Sequence, residues 1–179
     1  GAGADIITGL SGKDTLTGGA GSDDFVFNSE AGAVTDSTTA SADVISDYAM
    51  SSAAATGDDI SIDLDQNGGA DQGIAVEANG TGAGSAAGVT YTVTSGILTL
   101  SGAGASGVDT LGEWLTEANA VAGSLGDILA FEFSGDTYIF AENGTADILI
   151  ELDGVTGADV LLEAAAATVD NTILYSDIA

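Results

Sequence analysis

Three aspartates near the N-terminus recur with a constant spacing of nine residues. Asp5, Asp14 and Asp23 hold the same position in successive segments that read GAGADIIT, GLSGKDTLT and GGAGSDDFV. Carboxylates in glycine-rich turns are suited to hard cations, and the repeat G-G-x-G-x-D is typical of parallel β-rolls that bind calcium. These residues therefore predict calcium binding.

Six residues of each repeat would form a turn and three a short strand, so that two repeats complete one coil. We expect Asp5 and Asp23, 18 residues apart, to share one Ca²⁺ between adjacent coils. The neighbouring Asp24 could in principle serve glycoside hydrolysis together with Asp23, but in a glycine-rich turn calcium is the better explanation. Glycines let the backbone curl so that carbonyl oxygens also face the ion; the candidates are Gly1, Gly3, Gly12 and Gly21.

The repeat array is short and irregular. Leu10 stands where the pattern has glycine, and the first repeat starts at its second position. We therefore expect that the chain was cut from, or continues, something longer. Asp14 has no repeat 18 residues upstream, and Gly32 occupies the downstream position. We expect the Asp14 site to be completed by the segment that closes the roll, by water, or by another chain.

Composition excludes most other chemistry. The 179 residues contain 28 acidic and one basic residue, no His and no Cys, and the formal net charge is −27. Nucleic acids and anionic membrane surfaces require a basic patch, which this chain cannot build. Nucleophile pairs with His, zinc sites with His or thiolate ligands, and disulfides are also excluded. We therefore predict a protein that is not an enzyme, and a hydrolase using carboxylates alone is the least favoured hypothesis.

The residues after the third repeat extend the pattern. GGAGSDDFVFN is followed by SADVISDYAMSSAAATGDDISIDLD, in which two short apolar strands with aspartates flank a Gly-Asp turn. Together these segments resemble the RTX family of calcium-dependent repeat proteins, which bacterial type I secretion systems export. The stretch LAFEFSGDTYIFAENGTADILIELDGVTGADVLLE is similar to the C-terminal β-structure of many RTX proteins. The resemblance covers roughly residues 1–65 and 127–163.

The resemblance implies further calcium ligands in the closing segment of the roll. The candidates are Asp43, Asp47, Asp58 and Asp59. An alternative is open for part of this set, because Asp58, Asp59, Asp63 and Asp65 could equally form a solvated acidic face of a strand.

The predicted fold is mainly β. A short calcium-binding parallel β-roll over 1–65 is followed by a β-rich, sandwich-like domain over 66–179 with one or two short helices. Hairpins are predicted at 89–100 and 130–140. Thr110 and Glu113 form a capping-box pair that predicts a helix over 110–122. A second helix is predicted at about 159–167, followed by a strand over 171–178 that needs a partner in its own subunit or a neighbour.

Two functional hypotheses follow. The first is an extracellular structural protein, a surface-layer or fibre subunit, that assembles into a homo-oligomer or polymer through calcium and β-edges after type I secretion. The second is a C-terminal secretion and folding module of a larger RTX hydrolase or adhesin, which the acidic, apolar ending ILYSDIA also favours because it resembles uncleaved secretion signals. Both predict an extracellular location, Ca²⁺ as the cofactor, the type I secretion machinery as a partner and no insertion into a membrane.

Overall fold

The computed structural model describes residues 1–28, 37–50, 57–64, 74–144, 147–156, 160–164 and 172–177. One α-helix, α1 (Leu111–Val121), and a 3-10 turn (Ala105–Gly107) lie among these residues. None of the helices in this part of the chain is long and apolar enough to span a membrane. The strands are β1 (Ile6–Ile7), β2 (Thr15–Leu16), β3 (Asp24–Asn28), β4 (Asp43–Ile45), β5 (Asp59–Asp63), β6 (Ala75–Val76), β7 (Gly80–Ala83), β8 (Thr90–Thr94), β9 (Ile97–Ser101), β10 (Asp127–Phe133), β11 (Asp136–Ala141), β12 (Ile148–Leu152), β13 (Val160–Ala164) and β14 (Thr172–Asp177).

The strands form two sheets. The smaller sheet has the order β1-β3-β5-β14-β13, and the larger has the order β2-β4-β12-β11-β10-β9-β8-β7, with β6 paired to β10. Strands from both sides of residue 65 share each sheet, because β5 pairs with β14 and β4 pairs with β12. The repeat segment and the later strands are therefore joined by backbone hydrogen bonds.

The two sheets pack face to face over one apolar core. Alternate residues of β3 and β5 point into it, and Phe25, Phe27, Ile60 and Ile62 are fully buried there. The larger sheet supplies the opposing layer, which includes Ile45, Ile128, Ile139 and Ile150. The structure confirms the prediction of a mainly β fold.

The other face of the larger sheet is covered by α1. Because side chains alternate across a strand, β10 directs Ile128 into the core between the sheets and Leu129 and Phe131 towards the helix. Trp114 of α1 stacks on Phe131 with ring centroids 5.3 Å apart. These aromatic residues belong to a second apolar cluster, between the larger sheet and α1, so the larger sheet is the central layer of the fold.

The helix prediction over 110–122 is confirmed, including its cap. The Glu113 amide donates to Thr110 Oγ1 at 3.3 Å, and the Thr110 amide donates to Glu113 Oε2 at 3.0 Å. The two predicted hairpins are also confirmed as β8–β9 and β10–β11. Their turns place Ser95 and Ser134 at φ of 50° and 60°, each followed by a glycine with positive φ, which suits the twist of a tight hairpin.

The second predicted helix, at about 159–167, is wrong. Val160–Ala164 is strand β13, which pairs antiparallel with β14, whereas residue 159 and residues 165–167 lie outside the described residues. Helix propensity is a weak bias, and here pairing with the C-terminal strand outweighs it. The predicted C-terminal strand is confirmed as β14, and its partners β13 and β5 belong to the same chain.

Candidate calcium sites

The repeats stack in two columns. In the first column β1 pairs parallel with β3, and Ile7 is in register with Phe25, 18 residues later. In the second column β2 pairs parallel with β4, and Leu16 is in register with Ile45. The first and third repeats therefore lie on successive coils of a roll, as their spacing predicts.

Glycine is required at the fourth position of each repeat. Gly3, Gly12 and Gly21 have φ of 119°, 133° and 145°, a range that side chains disfavour. The turn before each aspartate therefore depends on glycine.

Two later segments continue the columns without the glycine pattern. Asp23 Oδ1 accepts a hydrogen bond from the Asp5 amide at 2.9 Å. Asp43 Oδ1 accepts from the Asp14 amide at 2.8 Å, and Asp58 Oδ1 accepts from the Asp23 amide at 3.0 Å. Each coil is thus joined to the next by the same carboxylate-to-amide bond, and residues 43–46 and 58–61 are degenerate repeats.

Two carboxylates converge on Gly9 in the second column. A methyl group on Gly9 would lie 2.9 Å from Asp43 Oδ2 and 3.3 Å from Asp14 Oδ2. Asp14 Oδ2 is buried and accepts no hydrogen bond from the described residues. Lys13, the single basic side chain of the sequence, lies 3.9 Å from Glu151. The arrangement of Gly9, Asp14 and Asp43, hereafter site two, fits a cation bound by oxygen.

A similar arrangement surrounds Gly18 in the first column. A methyl group on Gly18 would collide with Asp23 Oδ2, which is also buried and accepts no hydrogen bond from the described residues. The Gly1 nitrogen donates to the Gly18 carbonyl and lies 3.3 Å from Asp5 Oδ2, so these two oxygens face the same point. Asp5, Asp23 and Gly18 are hereafter site one.

Both sites need backbone oxygens as well as carboxylates. Among the described residues no three acidic side chains cluster closely enough to hold a metal ion by themselves. Calcium takes six to eight oxygen ligands, and carbonyls and water commonly supply several of them. At each site, a buried carboxylate oxygen that accepts no hydrogen bond from the described residues lies beside a glycine, which has no side chain. Such oxygens are a donor set that fits Ca²⁺.

Two of the aspartates from the closing segment are engaged with the backbone. Asp47 Oδ1 and Oδ2 accept hydrogen bonds from the Gly18 and Gly19 amides, both at 2.9 Å. Asp58 Oδ2 accepts from the Ala49 amide at 2.8 Å, in addition to the bond of Oδ1. Carboxylates that each bond two amides stabilise the coils directly.

The side chains of two further candidates, Asp24 and Asp59, make no described hydrogen bond to a residue of either site. Asp24 and Asp59 are in register on the face of the smaller sheet that is opposite the buried core, and Ser61 Oγ donates to Asp24 Oδ1 at 2.9 Å. Partial burial raises the pKa of Asp59, and the neighbouring Asp24 and Asp58 raise it further. The backbone of Asp63 lies in β5, and Asp65 lies outside the described residues.

Sequence reasoning missed Gly9 and Gly18 as site residues. They occupy the first position of the repeat, where the aspartate side chain of the same repeat folds over the glycine. The repeat motif begins with a glycine, so the sequence did contain the information. The prediction instead selected the glycine two residues before each aspartate.

A family of known proteins matches the repeat segment. The family model of the RTX calcium-binding nonapeptide repeat (4 copies) matches residues 1–30. No curated protein and no solved structure gives a significant match to the chain. Site one lies wholly inside the matched residues, and site two adds Asp43 from outside them. The N-terminal segment of this chain is thus an RTX-type repeat segment, and such repeats are calcium-binding motifs.

Proposed function

We propose that the chain is a calcium-dependent folding unit of an extracellular protein, and that sites one and two each bind one Ca²⁺. The observation that carries the proposal is the pair of buried oxygens, Asp14 Oδ2 and Asp23 Oδ2, that accept no hydrogen bond from the described residues. A buried carboxylate oxygen without a partner is energetically unfavourable. Because the chain has a net charge of −27, a bound cation is the group that can offset this cost.

Ion binding at site two would stabilise more than the roll. Asp43 lies in β4, which pairs with β2 on one side and with β12 on the other. The Asp43 amide donates to Ser37 Oγ at 2.8 Å, and the same hydroxyl donates to the Leu149 carbonyl. Fixing Asp43 therefore fixes the junction between the roll and the larger sheet.

The size of the effect follows from mass action. A site with a Kd of about 10 to 100 μM, in about 1 mM calcium, adds about 1.4 to 2.7 kcal/mol to the free energy of unfolding. Two sites would supply a substantial fraction of the stability of an ordinary domain, which is about 5 to 15 kcal/mol. Because the 28 carboxylates also repel one another, we expect loss of both ions to unfold at least the repeat segment.

This dependence suits export through a narrow channel. At low cytosolic calcium the 28 carboxylates repel one another, which keeps the chain extended, and calcium outside the cell closes the roll. The type I secretion machinery is the partner that this route requires. The proposal involves no catalysis.

Two contacts in the structure bear on whether the chain is a self-assembling subunit or a secretion and folding module. Assembly into a surface layer or fibre drew support from the absence of a partner for Asp14, but Asp43 of the same chain lies beside it. The C-terminal strand likewise pairs inside the chain. The geometry therefore favours a secretion and folding module over a self-assembling subunit.

The test is to remove calcium and follow folding and size together. In excess EGTA we expect circular dichroism and amide exchange to show that at least residues 1–65 unfold, and calcium, but not an equal concentration of magnesium, to refold them. Sedimentation in calcium should show a compact monomer. Unchanged spectra in EGTA would contradict calcium-dependent folding, and large EDTA-reversible species would instead support the assembly hypothesis.

A further inference from the structure

The first described coil has one end that faces away from the second coil. This end, hereafter the upstream face, is formed by Gly1, Gly3, Leu10 and Gly12. Nothing among the described residues lies within 4 Å of a methyl group placed on Gly3. A methyl group on Gly12 would meet only Asp14 Oδ2 of its own repeat, at 3.9 Å. The upstream face could therefore receive another coil if its residues allow one to approach.

Stacking of one coil on the next leaves no room for a side chain at the second position of the repeat. The Ala20 amide donates to the Gly1 carbonyl at 3.0 Å, and the Gly3 amide donates to the Ala20 carbonyl at 2.6 Å. A methyl group on Gly19 would collide with the Gly1 carbonyl oxygen and lie 2.9 Å from the Gly1 nitrogen. Glycine at this position is thus a condition for contact with the preceding coil.

Leu10 occupies that same position in the second column. It has a φ of 63°, in the left-handed region where Gly19 has 104°, and 63% of its surface is exposed. By analogy with Gly19, a coil stacked on the second column would collide with the Cβ of Leu10.

We propose that Leu10 is a steric stop, which prevents a further nonapeptide coil from stacking on the second column of the roll. The first column remains open, because Gly1 and Gly3 present no side chain to the upstream face. With the stop in place, no coil upstream of Asp14 can contribute to site two, and head-to-tail stacking of rolls cannot build a metal site there. This inference depends on the stacking geometry and not on the proposed calcium function.

The test adds a coil to the full chain. Two copies of GGAGSDDFV, the sequence of residues 18–26, and one glycine are placed before Gly1, in chains with Leu10, Leu10→Gly and Leu10→Ala. Leu10→Ala is the matched control, because its Cβ alone should still block stacking. We expect the added repeat over the second column to gain about tenfold or more in amide-exchange protection only in Leu10→Gly, as a newly ordered segment does.

Native mass spectrometry gives a second measurement. In calcium, the extended Leu10→Gly chain should hold one more ion than the other two extended chains, bound between the added repeat and Asp14. Equal protection in the Leu10 and Leu10→Gly chains would overturn the proposal, and so would equal protection in Leu10→Ala and Leu10→Gly. If none of the chains bound calcium, the proposed function would fail, while exchange protection would still decide the role of Leu10.

Discussion

Replacement of Asp14 by asparagine tests whether Asp14 acts as a metal ligand or as a structural carboxylate. The Asp14→Asn variant would keep the size of the side chain and the backbone amide that donates to Asp43 Oδ1, but it would remove the negative charge that Asp14 Oδ2 places at Gly9. With calcium, we expect Asp14→Asn to destabilise the chain by the contribution of one site, about 1.4 to 2.7 kcal/mol in about 1 mM calcium. For a chain of this length that corresponds to a fall of about 3 to 10 °C in Tm.

Without calcium, the change in stability caused by Asp14→Asn should have the opposite sign. The Asp14 and Asp43 carboxylates both lie close to Gly9, and removal of one charge relieves their repulsion. Because Asp43 is fully buried and Asp14 is half-buried, this relief should be at least about 1 kcal/mol. We therefore expect Asp14→Asn to be as stable as the original chain in chelator, or slightly more stable.

The assay is thermal unfolding in 1 mM calcium and in EDTA, with enough sucrose in both solutions for the chain to fold without calcium, together with ion counting by native mass spectrometry on separate samples. The count should fall from two ions to one. Asp153→Asn, at an exposed position, is the control for the loss of one negative charge. An equal loss of stability in both solutions would show that Asp14 acts only through the backbone contacts, and an unchanged ion count would refute site two.

Three further predictions concern other residues of the roll. Asp47→Ala should destabilise the chain by about 1 to 3 kcal/mol with or without calcium, because its carboxylate bonds two amides, and the ion count should remain the same. Gly21→Ala, whose methyl would collide with a backbone carbonyl of the preceding coil, should lower Tm strongly, whereas Gly107→Ala, with open space around it, should not. In chelator with sucrose, the raised pKa of Asp59 means that its charged form is disfavoured in the folded chain, so Tm should fall as the pH rises above the ordinary carboxyl pKa of about 4, and Asp59→Asn should reduce that fall in a pH series of melting curves.

The parts of the fold that the sequence predicts are those set by local rules. The nine-residue period predicted the stacking of Ile7 on Phe25, because two repeats of fixed length return the chain to the same column. The capping box of α1 and the tight turns of the two hairpins depend on residues within a few positions of one another. Each of these features needs only short-range information.

The resemblance named Asp43 and Asp58 as candidate ligands, but the residues on which they stack depend on contacts between distant parts of the chain. Asp43 follows Asp14 by 29 residues and Asp58 follows Asp23 by 35, because insertions between the strands break the 18-residue period. Their stacking could therefore not be deduced from spacing. The sequence also could not show that the Asp47 carboxylate bonds two amides, since this depends on where the chain returns to the roll.

The shared core explains why calcium in a short repeat segment could control a longer chain. Phe25 and Phe27 of the roll pack with Ile139 and Ile150 of the larger sheet, so the roll forms one wall of the core and cannot unfold without exposing it. Repulsion among carboxylates at sites one and two opposes formation of that wall, and a bound cation at each site would remove the opposition. The free energy of ion binding should therefore appear in the stability of the sandwich as well as in that of the repeats. Amide exchange in β11 and β12 that responds to calcium in parallel with exchange in β3 would agree with this coupling, whereas exchange in β11 and β12 that is independent of calcium would restrict the metal to the roll.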